Sequence, residues 1–336
     1  MRSVPMFLLL WLVACSPPSQ ERVSTKQLAS SDASVASTLD YLSTSPELAL
    51  HRAMPGRSPV RVAPLEGRAA VLLNADAEPW VVAAGPDGGE VLKRWDGMRW
   101  MSATPVGREV RGAERGEDVM VVAASLASFS DLYALPLSGG APRRLTESSH
   151  GCFQPSLRGD VVVYACSADD GSELYRLRLG DDGRVVDRER VTWSAGDDHD
   201  PALSPDGTAL AWVGWRSDGA RIVVADSRGR GARLLRDADV DVVEATPRWA
   251  PDGRLLAFVE SRGTRTEIVV VNTEDGRTVH RFGEGAADPQ WSPDGRQLAF
   301  SEAVGERTRV RVVDFGTGVA STVAEAAHSP RWRRAE

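Results

Sequence analysis

Apolar and polar residues alternate in short runs along most of the chain, and turn residues separate these runs at regular distances. Three stretches repeat one pattern: "HDPALSPDGTALAWV" from residue 199, "ATPRWAPDGRLLAFVE" from residue 245 and "ADPQWSPDGRQLAFSE" from residue 287. In such a pattern Pro presets the backbone for a turn, and Gly accepts the positive φ that a tight hairpin needs. The pattern therefore predicts pairs of strands joined by hairpins at Gly207, Gly253 and Gly295.

Weaker copies of the same pattern lie upstream. Gly159, Gly116 and Gly67 occupy the equivalent point in "QPSLRGDVVVYACS", "ERGEDVMVVAAS" and "VAPLEGRAAVLL". After each hairpin come an apolar strand, a third strand such as "TEIVVVNT" and a short fourth strand such as "RTVHRF". Six anchors spaced like propeller blades predict an all-β fold, a six-bladed β-propeller of four-stranded antiparallel blades over residues 58–336.

The C-terminus carries one strand pattern more than six blades need. "HSPRWRR", residues 328–334, matches the first strand of a blade, with Pro330 and Trp332 corresponding to Pro289 and Trp291. The chain thus offers six sets of later strands and seven candidate first strands. We expect the C-terminal strand to join the first blade beside, or in place of, residues 59–63, which would close the ring.

The N-terminus has the features of an export signal. A single Arg2 precedes "MFLLLWLVA", an apolar stretch too short to span a bilayer as a helix, so residues 1–14 are predicted to be a signal peptide. "LVAC" resembles the lipobox of bacterial lipoproteins, which implies lipidation of Cys15. The alternative is an ordinary signal peptide with a chance cysteine. Residues 15–57 are expected to form a flexible tether with a short helical stretch over residues 38–53.

The net charge of the chain argues against one class of partner, nucleic acids. The formal net charge is -7 and there is no run of Lys or Arg, so the electrostatic footprint of a nucleic-acid binder is missing. Membrane attachment is expected through the N-terminal lipid alone. The chain is therefore predicted to be an exported, lipid-anchored monomer, on the periplasmic side of the outer membrane if its source has two membranes.

The two cysteines that remain beside Cys15 are predicted to pair. Cys152 and Cys166 flank a hairpin centred on Gly159, and opposed residues in a hairpin have a constant index sum, which places the two thiols face to face. An exported protein meets an oxidising compartment, so a disulfide is expected. The alternative is a pair of buried free cysteines.

The sequence "P-x-W-S-P-D-G", followed by an apolar strand, a polar hairpin and "V-V-D", resembles the propeller repeats of the TolB family of periplasmic proteins. The resemblance is clear over residues 200–332 and weaker over residues 58–199. It implies a six-bladed propeller. The chain departs from that family because no separate N-terminal α/β domain fits between the tether and the first blade.

Acidic residues and histidines precede the prolines that open the first strands. They are His150, Asp198, His199, Asp200, Glu244, Asp288 and His328. First strands line a propeller's axis, so these side chains are predicted to converge at one mouth of the central channel. Carboxylates and imidazoles together could hold a divalent cation, with His150, His199 and His328 as the ligands. The alternative is a solvated acidic rim without metal, whose groups cap turns.

The function that these patterns favour is binding. Phosphate loops, "GxSxG" elbows, "HExxH" motifs and zinc-spaced cysteines are absent from the sequence. Trp95, Trp100, Trp193 and Trp215 lie near loops outside the repeat pattern, where they serve either a partner surface or burial. We therefore expect a non-catalytic scaffold that binds an envelope protein or peptide on one propeller face. The alternative is a metal-assisted lyase or hydrolase acting on an exported carbohydrate, by resemblance to propeller lyases with histidine-bound metal.

Overall fold

The computed structural model describes residues 37–333, apart from 46, 66–69, 75–77, 85–89, 103–108, 126–128, 170, 195, 217–218, 238 and 240. The described chain forms seven sheets, each of four antiparallel strands. Cys15, the predicted signal peptide and residues 15–36 of the predicted tether lie outside the described residues. Within the described part, no helix has the length and apolar character needed to cross a membrane.

We number the blades from the N-terminus and give their strands from the inside outwards. Blade 1 consists of β28 (Ala327–Trp332), β1 (Leu39–Ser43), β2 (Ala49–Ala53) and β3 (Val60–Pro64). Blade 2 consists of β4 (Ala70–Asn74), β5 (Trp80–Ala84), β6 (Glu90–Trp95) and β7 (Trp100–Ser102). Blade 3 consists of β8 (Glu109–Arg115), β9 (Val119–Ser125), β10 (Ser130–Pro136) and β11 (Arg143–Arg144).

The remaining blades follow the chain in order. Blade 4 consists of β12 (Cys152–Arg158), β13 (Val161–Ala168), β14 (Gly171–Leu179) and β15 (Val185–Arg190). Blade 5 consists of β16 (Asp198–Leu203), β17 (Ala209–Arg216), β18 (Gly219–Asp226) and β19 (Arg233–Leu234). Blade 6 consists of β20 (Val242–Trp249), β21 (Leu255–Arg262), β22 (Arg265–Asn272) and β23 (Thr278–Phe282). Blade 7 consists of β24 (Ala286–Trp291), β25 (Gln297–Val304), β26 (Arg307–Asp314) and β27 (Ala320–Glu325).

The six-bladed prediction is wrong, because the ring has seven blades. The additional blade comes from residues 39–64, and its strands β1 and β2 lie where a short helix was expected. Gly67 was taken as the anchor of a hairpin inside one blade. The strands on either side of it, β3 and β4, belong to different sheets. Residues 39–64 lack the Pro-Asp-Gly hairpin, so the repeat pattern does not reveal them as a blade.

The C-terminal strand closes the ring. β28 pairs with β1, with Leu39 opposite Trp332 and Ser43 opposite Ala327. The C-terminal strand therefore closes the ring, but it does so in a sheet formed by residues 39–64, and it pairs with β1 rather than beside or in place of residues 59–63 as expected. Residues 59–63 contribute instead to the outermost strand β3 of that blade. Blade 1 therefore joins the two ends of the described chain in one sheet.

The hydrophobic core is divided among the junctions between blades. Seven clusters of buried apolar residues each draw side chains from two neighbouring blades, including one that joins blade 7 to blade 1. This division explains why strands such as "LLAFVE" are apolar on both faces, since each face packs against a neighbouring sheet. Burial of these faces provides the main stabilisation of the ring.

Most first strands contain the same β-bulge. The residue before the proline has a positive φ in five of them: Gln154, Asp200, Thr246, Asp288 and Ser329, with φ from 50° to 54°. In each strand this residue and the proline together face one residue of the second strand. The bulge turns the side chain of that residue towards the next blade. The backbone amide of Asp200 donates to Gln154 Oε1 at 3.0 Å, and that of Thr246 donates to Asp200 Oδ2 at 2.9 Å.

The recurring tryptophans connect neighbouring first strands. The indole Nε1 of Trp249 donates to the carbonyl of Ala202 at 2.8 Å. Trp291 donates in the same way to Arg248, at 3.0 Å, and Trp332 to Gln290, at 2.9 Å. In blades 6, 7 and 1, the Trp of "P-x-W" therefore donates to the carbonyl of the residue at position x in the preceding blade.

Replacing Trp291 by Phe is expected to lower the free energy of unfolding by about 1 kcal/mol, because the ring still packs while the Arg248 carbonyl loses its donor. Urea denaturation measures the change. Trp193→Phe is the matched control, since the Trp193 side chain is exposed, and it should be neutral. Equal stability of the Trp291 variant and the wild type would contradict this role of the indole.

The disulfide is present. Cys152 and Cys166 are bonded, and they are direct partners in the register of β12 and β13. The turn that joins the two strands contains Gly159 at φ 56°. The prediction from the index sum is therefore confirmed, and the bridge connects the ends of the two strands on the side of the linker that enters blade 4.

Candidate functional site

The two faces of the ring differ in the segments that they present. We call upper the face that carries the hairpins between second and third strands and the linkers from each fourth strand to the next blade. The lower face carries the hairpins between first and second strands and the turns between third and fourth strands. Every candidate residue from the sequence lies in a linker or a first strand, but the structure divides the set into buried and exposed members.

Asp198 is buried at the start of β16. Its Oδ1 accepts from the indole Nε1 of Trp212 at 3.0 Å and from the guanidinium of Arg216 at 3.2 Å. Only 1% of its surface is exposed, which leaves little access for a ligand. Asp198 therefore orders the second strand of its own blade.

Asp200 and Asp288 connect adjacent blades through their bulges. Asp200 accepts the amide of Thr246, as described above, while Asp288 Oδ2 accepts from Arg331 of blade 1 at 2.7 Å. The other oxygen of Asp288 accepts from the side-chain amide of Gln290 at 2.9 Å. The acidic residue before the proline thus accepts a hydrogen bond from the neighbouring blade.

Glu244 holds a buried charge cluster between blades 5 and 6. Its Oε2 accepts the backbone amide of Ile222 at 2.8 Å, and its Oε1 lies 2.7 Å from the guanidinium of Arg236. Arg236 also contacts Glu260, which accepts from Arg281 at 2.7 Å. Burial raises the pKa of Glu244, and the positive charge of Arg236 opposes that rise.

His199 and His328 are largely buried, each in a first strand. Burial lowers the pKa of both imidazoles, which favours their neutral forms. The Nδ1 of His328 lies 2.9 Å from the hydroxyl of Ser329. His199 belongs to blade 5 and His328 to blade 1, on different strands of the ring.

His150 lies on the upper face. It occupies the linker into blade 4, with 46% of its side chain exposed, and its Nε2 lies 3.1 Å from Asp169 Oδ1 in the upper hairpin of the same blade. Its ring also lies 6.5 Å from that of Phe129. His150 thus lies in a linker, whereas His199 and His328 lie in first strands of two other blades. No group of three or more His, Cys, Asp or Glu side chains that could hold a metal occurs among the described residues.

Two aromatic side chains are exposed on the upper face: Phe129, which the sequence pattern did not indicate, and Trp193, for which it left a partner surface and burial both open. Trp193 is 71% exposed in the linker between blades 4 and 5, and Phe129 is 50% exposed just before β10. By contrast, Trp95 and Trp100 pack against each other at 5.3 Å. Comparison of equivalent repeat positions is the signal that finds Phe129, because other blades have Gly or Arg there.

Similarity to known sequences is confined to part of the chain. No protein-family model matches it. Dipeptidyl-peptidase 5 of Porphyromonas gingivalis is 23% identical over 194 residues, which are 55% of this chain and 21% of that protein. The Tol-Pal system protein TolB of Hamiltonella defensa is 28% identical over 89 residues, 26% of this chain and 20% of that protein. The matches therefore span about a fifth of the length of either relative.

Solved structures share the fold over most of the chain. TolB from Acinetobacter baumannii has a TM-score of 0.58 at 16% identity and covers 90% of this chain and 68% of its own. A puromycin-hydrolyzing peptidase of Mycobacterium tuberculosis has a TM-score of 0.64 at 17% identity, with coverage of 83% and 50%. An oligogalacturonate lyase in complex with manganese has a TM-score of 0.62 at 13% identity, with coverage of 87% and 85%. The resemblance to TolB is thus confirmed at the level of the fold.

Proposed function

We propose that the protein is a cell-envelope scaffold that binds a protein or peptide on the upper face of its propeller. The observation that carries the proposal is the exposure of Phe129 and Trp193 on that face. Aromatic side chains of this kind are enriched in the centres of protein interfaces. The fold shared with TolB supports the same assignment.

The acidic candidate residues favour a scaffold over a catalyst. Asp198, Asp200, Asp288 and Glu244 all accept hydrogen bonds from, or form ion pairs with, their own or neighbouring blades. These hydrogen bonds and ion pairs stabilise the blades and the contacts between them. A rigid closed ring with a chemically distinct face is a suitable support for a binding surface.

Anchoring at Cys15 is part of the proposal. The lipobox-like "LVAC" would place the propeller at a membrane surface, with residues 16–36 as the connection. Replacing Cys15 by Ser tests this element separately. We expect the wild type to fractionate with membranes and to incorporate labelled palmitate, and the variant to do neither.

Metal-assisted action on a carbohydrate is the second candidate, favoured by the similarity to the manganese-containing lyase. In this chain the three proposed ligand histidines lie in the linker into blade 4, in β16 and in β28. Metal analysis of the purified protein distinguishes the two candidates. Stoichiometric manganese, zinc or calcium that is lost in a His150→Ala, His199→Ala variant would favour the enzyme.

Site-specific photo-crosslinking in the native envelope tests the scaffold. Photoreactive residues would replace Asp169 and Val304, which are exposed on the upper hairpins of blades 4 and 7. Met98 and Val319, exposed on lower turns, provide the controls. We expect one protein to be captured from an upper position and not from the lower ones. Capture from neither face, or equally from both, would contradict the proposal.

A further inference from the structure

The exposed aromatic residues of the upper face are concentrated around blade 4. Phe129 precedes β10 of blade 3, and Trp193 follows the last strand of blade 4. The ring of Phe129 faces His150, which contacts Asp169 at the tip of the upper hairpin of blade 4. On the other side of that hairpin, Ser172 lies 3.2 Å from Asp197 in the linker that contains Trp193. These contacts connect the two aromatic residues through a single hairpin.

Packing within the repeat does not require an aromatic residue at the position of Trp193. Thr146 and Thr192 are equivalent, since each accepts the amide of a leucine in the third strand of its blade, both at 2.9 Å. The next residue is Glu147 in blade 3 and Trp193 in blade 4. The repeat therefore accepts a fully charged side chain where blade 4 exposes an indole.

The position of Phe129 gives the same result. It precedes "Ser-Asp-Leu" in blade 3, and the equivalent residue before "Ser-Glu-Leu" in blade 4 is Gly171. The corresponding residue of blade 5 is Gly219. An aromatic side chain at this point adds apolar surface that the blade itself does not use.

The charge around the two aromatic residues is negative. Asp169 is 93% exposed and Glu147 is 88% exposed, and Asp197 lies beside the same hairpin. The neighbouring guanidinium groups are already engaged: Arg144 pairs with Asp131 and also lies 3.6 Å from the exposed carboxylate of Glu147, and Arg190 pairs with Glu173. Carboxylates therefore exceed guanidinium groups on this part of the upper face.

The indole of Trp193 has one ring face that a cation of a ligand can reach. Arg190 lies over the ring at 5.4 Å from its centroid. The ring remains 71% exposed, so its other face is open to solvent. A lysine or arginine of a ligand can stack on that face, where the nearby carboxylates also attract it.

We propose that Phe129, His150 and Trp193, with the carboxylates of Glu147 and Asp169, form a binding surface for a basic peptide segment that carries apolar side chains. We call this surface the blade 4 surface. The inference rests on the proposed scaffold function and specifies the chemistry of its partner. Phe129 and Trp193 contact the apolar side chains, while Glu147 and Asp169 attract the basic ones.

Fluorescence anisotropy with defined probes tests the blade 4 surface. The probe is a labelled peptide of alternating lysine and leucine, and the comparison is the same peptide with glutamate in place of lysine. We expect the lysine peptide to bind and the glutamate peptide not to bind. Trp193→Ala and Phe129→Ala should each weaken binding of the lysine peptide roughly tenfold or more.

The carboxylates and the opposite face supply the matched variants. Asp169→Asn and Glu147→Gln should each weaken binding about two- to threefold and reduce its dependence on salt. Met98→Ala and Val319→Ala remove exposed apolar surface from the lower face and should leave binding unchanged. All the altered side chains are at least half exposed, so equal melting temperatures are expected and confirm intact folding.

Three outcomes would overturn the inference. They are equal binding of the two peptides, full binding by the Trp193 and Phe129 variants, and displacement of the lysine peptide by a neutral oligosaccharide such as maltohexaose. Failure of the scaffold itself is distinguishable. If a partner crosslinks at Val304 but never near blade 4, the scaffold stands and the blade 4 surface is refuted. If no envelope protein crosslinks while the lysine peptide binds through Trp193, the scaffold function is refuted, and the blade 4 surface remains a site with affinity for basic peptides.

Discussion

A chain that ends at Ala326 is expected to melt at least ~10 °C below a chain that ends at Arg333, or to lose its cooperative transition altogether. The shorter chain lacks β28, the inner strand of blade 1. Trp332 is 9% exposed and Ala327 is fully buried, and together they pack in the cluster that joins blades 7 and 1. Deleting a buried tryptophan alone costs about 3–5 kcal/mol, before the lost strand pairing is counted.

Calorimetry of the two truncated chains measures the difference. The chain ending at Arg333 is the control, because it removes only the last three residues and keeps β28. It should melt like the full chain. Two truncated chains with the same melting temperature would show that the ring does not depend on pairing between its ends.

Replacing Arg236 by Met is expected to lower the free energy of unfolding by about 3–5 kcal/mol at pH 8, because it leaves the buried charge of Glu244 without its partner. Met retains apolar contact with Phe258, over whose ring the guanidinium lies at 5.2 Å. The matched control is Arg262→Met. Arg262 is 52% exposed and pairs with the exposed Asp239, so its loss should cost less than about 1 kcal/mol.

The effect of the Arg236 variant should depend on pH. Burial raises the pKa of Glu244 above its unfolded value, so the folded state binds this proton more tightly and stability falls as pH rises from about 4.5 through the folded pKa. Without Arg236 the pKa rises further. The loss of stability is therefore expected to be smaller at pH 5 than at pH 8, where the carboxylate must be charged.

Denaturant melts at both pH values, with and without Glu244→Gln, test this account. The glutamine keeps an acceptor for the Ile222 amide and removes the charge. Adding it to the Arg236 variant should recover much of the stability at pH 8. Equal losses at pH 5 and pH 8, or no recovery by the double variant, would show that the charge of Glu244 is not the cause.

The sequence predicted those parts of the fold that depend on neighbouring residues. The backbone φ of Gly207, Gly253 and Gly295 is 71° in each, as their turns require. The pairing of Cys152 with Cys166 follows from the length of one hairpin. Four-stranded blades and the use of the C-terminal strand to close the ring were also predicted from repeated patterns, but the strand that it pairs with was not.

The number of blades could not be obtained in this way. β1, β2 and β3 lack the recurring hairpin, and their sheet is completed only by β28 from the other end of the chain. A strand that pairs across such a separation leaves no local pattern in residues 39–64. The helix expected over residues 38–53 was wrong for the same reason, since the partners that make these residues strands lie elsewhere in the sequence.

In the candidate site, the repeat predicted where the acidic residues lie but not which groups they bind. The repeat placed Asp200, Glu244 and Asp288 near the starts of first strands, and all three lie there. Their partners, which are the Thr246 amide, Arg236 and Arg331, come from bulges and neighbouring blades that a single repeat does not specify. These contacts hold neighbouring blades together.

The sequence by itself determined the turns, the strands of the clear repeats and the disulfide, because each depends on backbone conformations and side chains that are close along the chain. The tertiary structure decided that the ring has seven blades, that the acidic residues before the prolines bond between blades, and that Phe129 and Trp193 remain exposed around blade 4. These features depend on which surfaces meet when the ring closes. Burial and pairing between blades are properties of the whole ring, and no single repeat contains them.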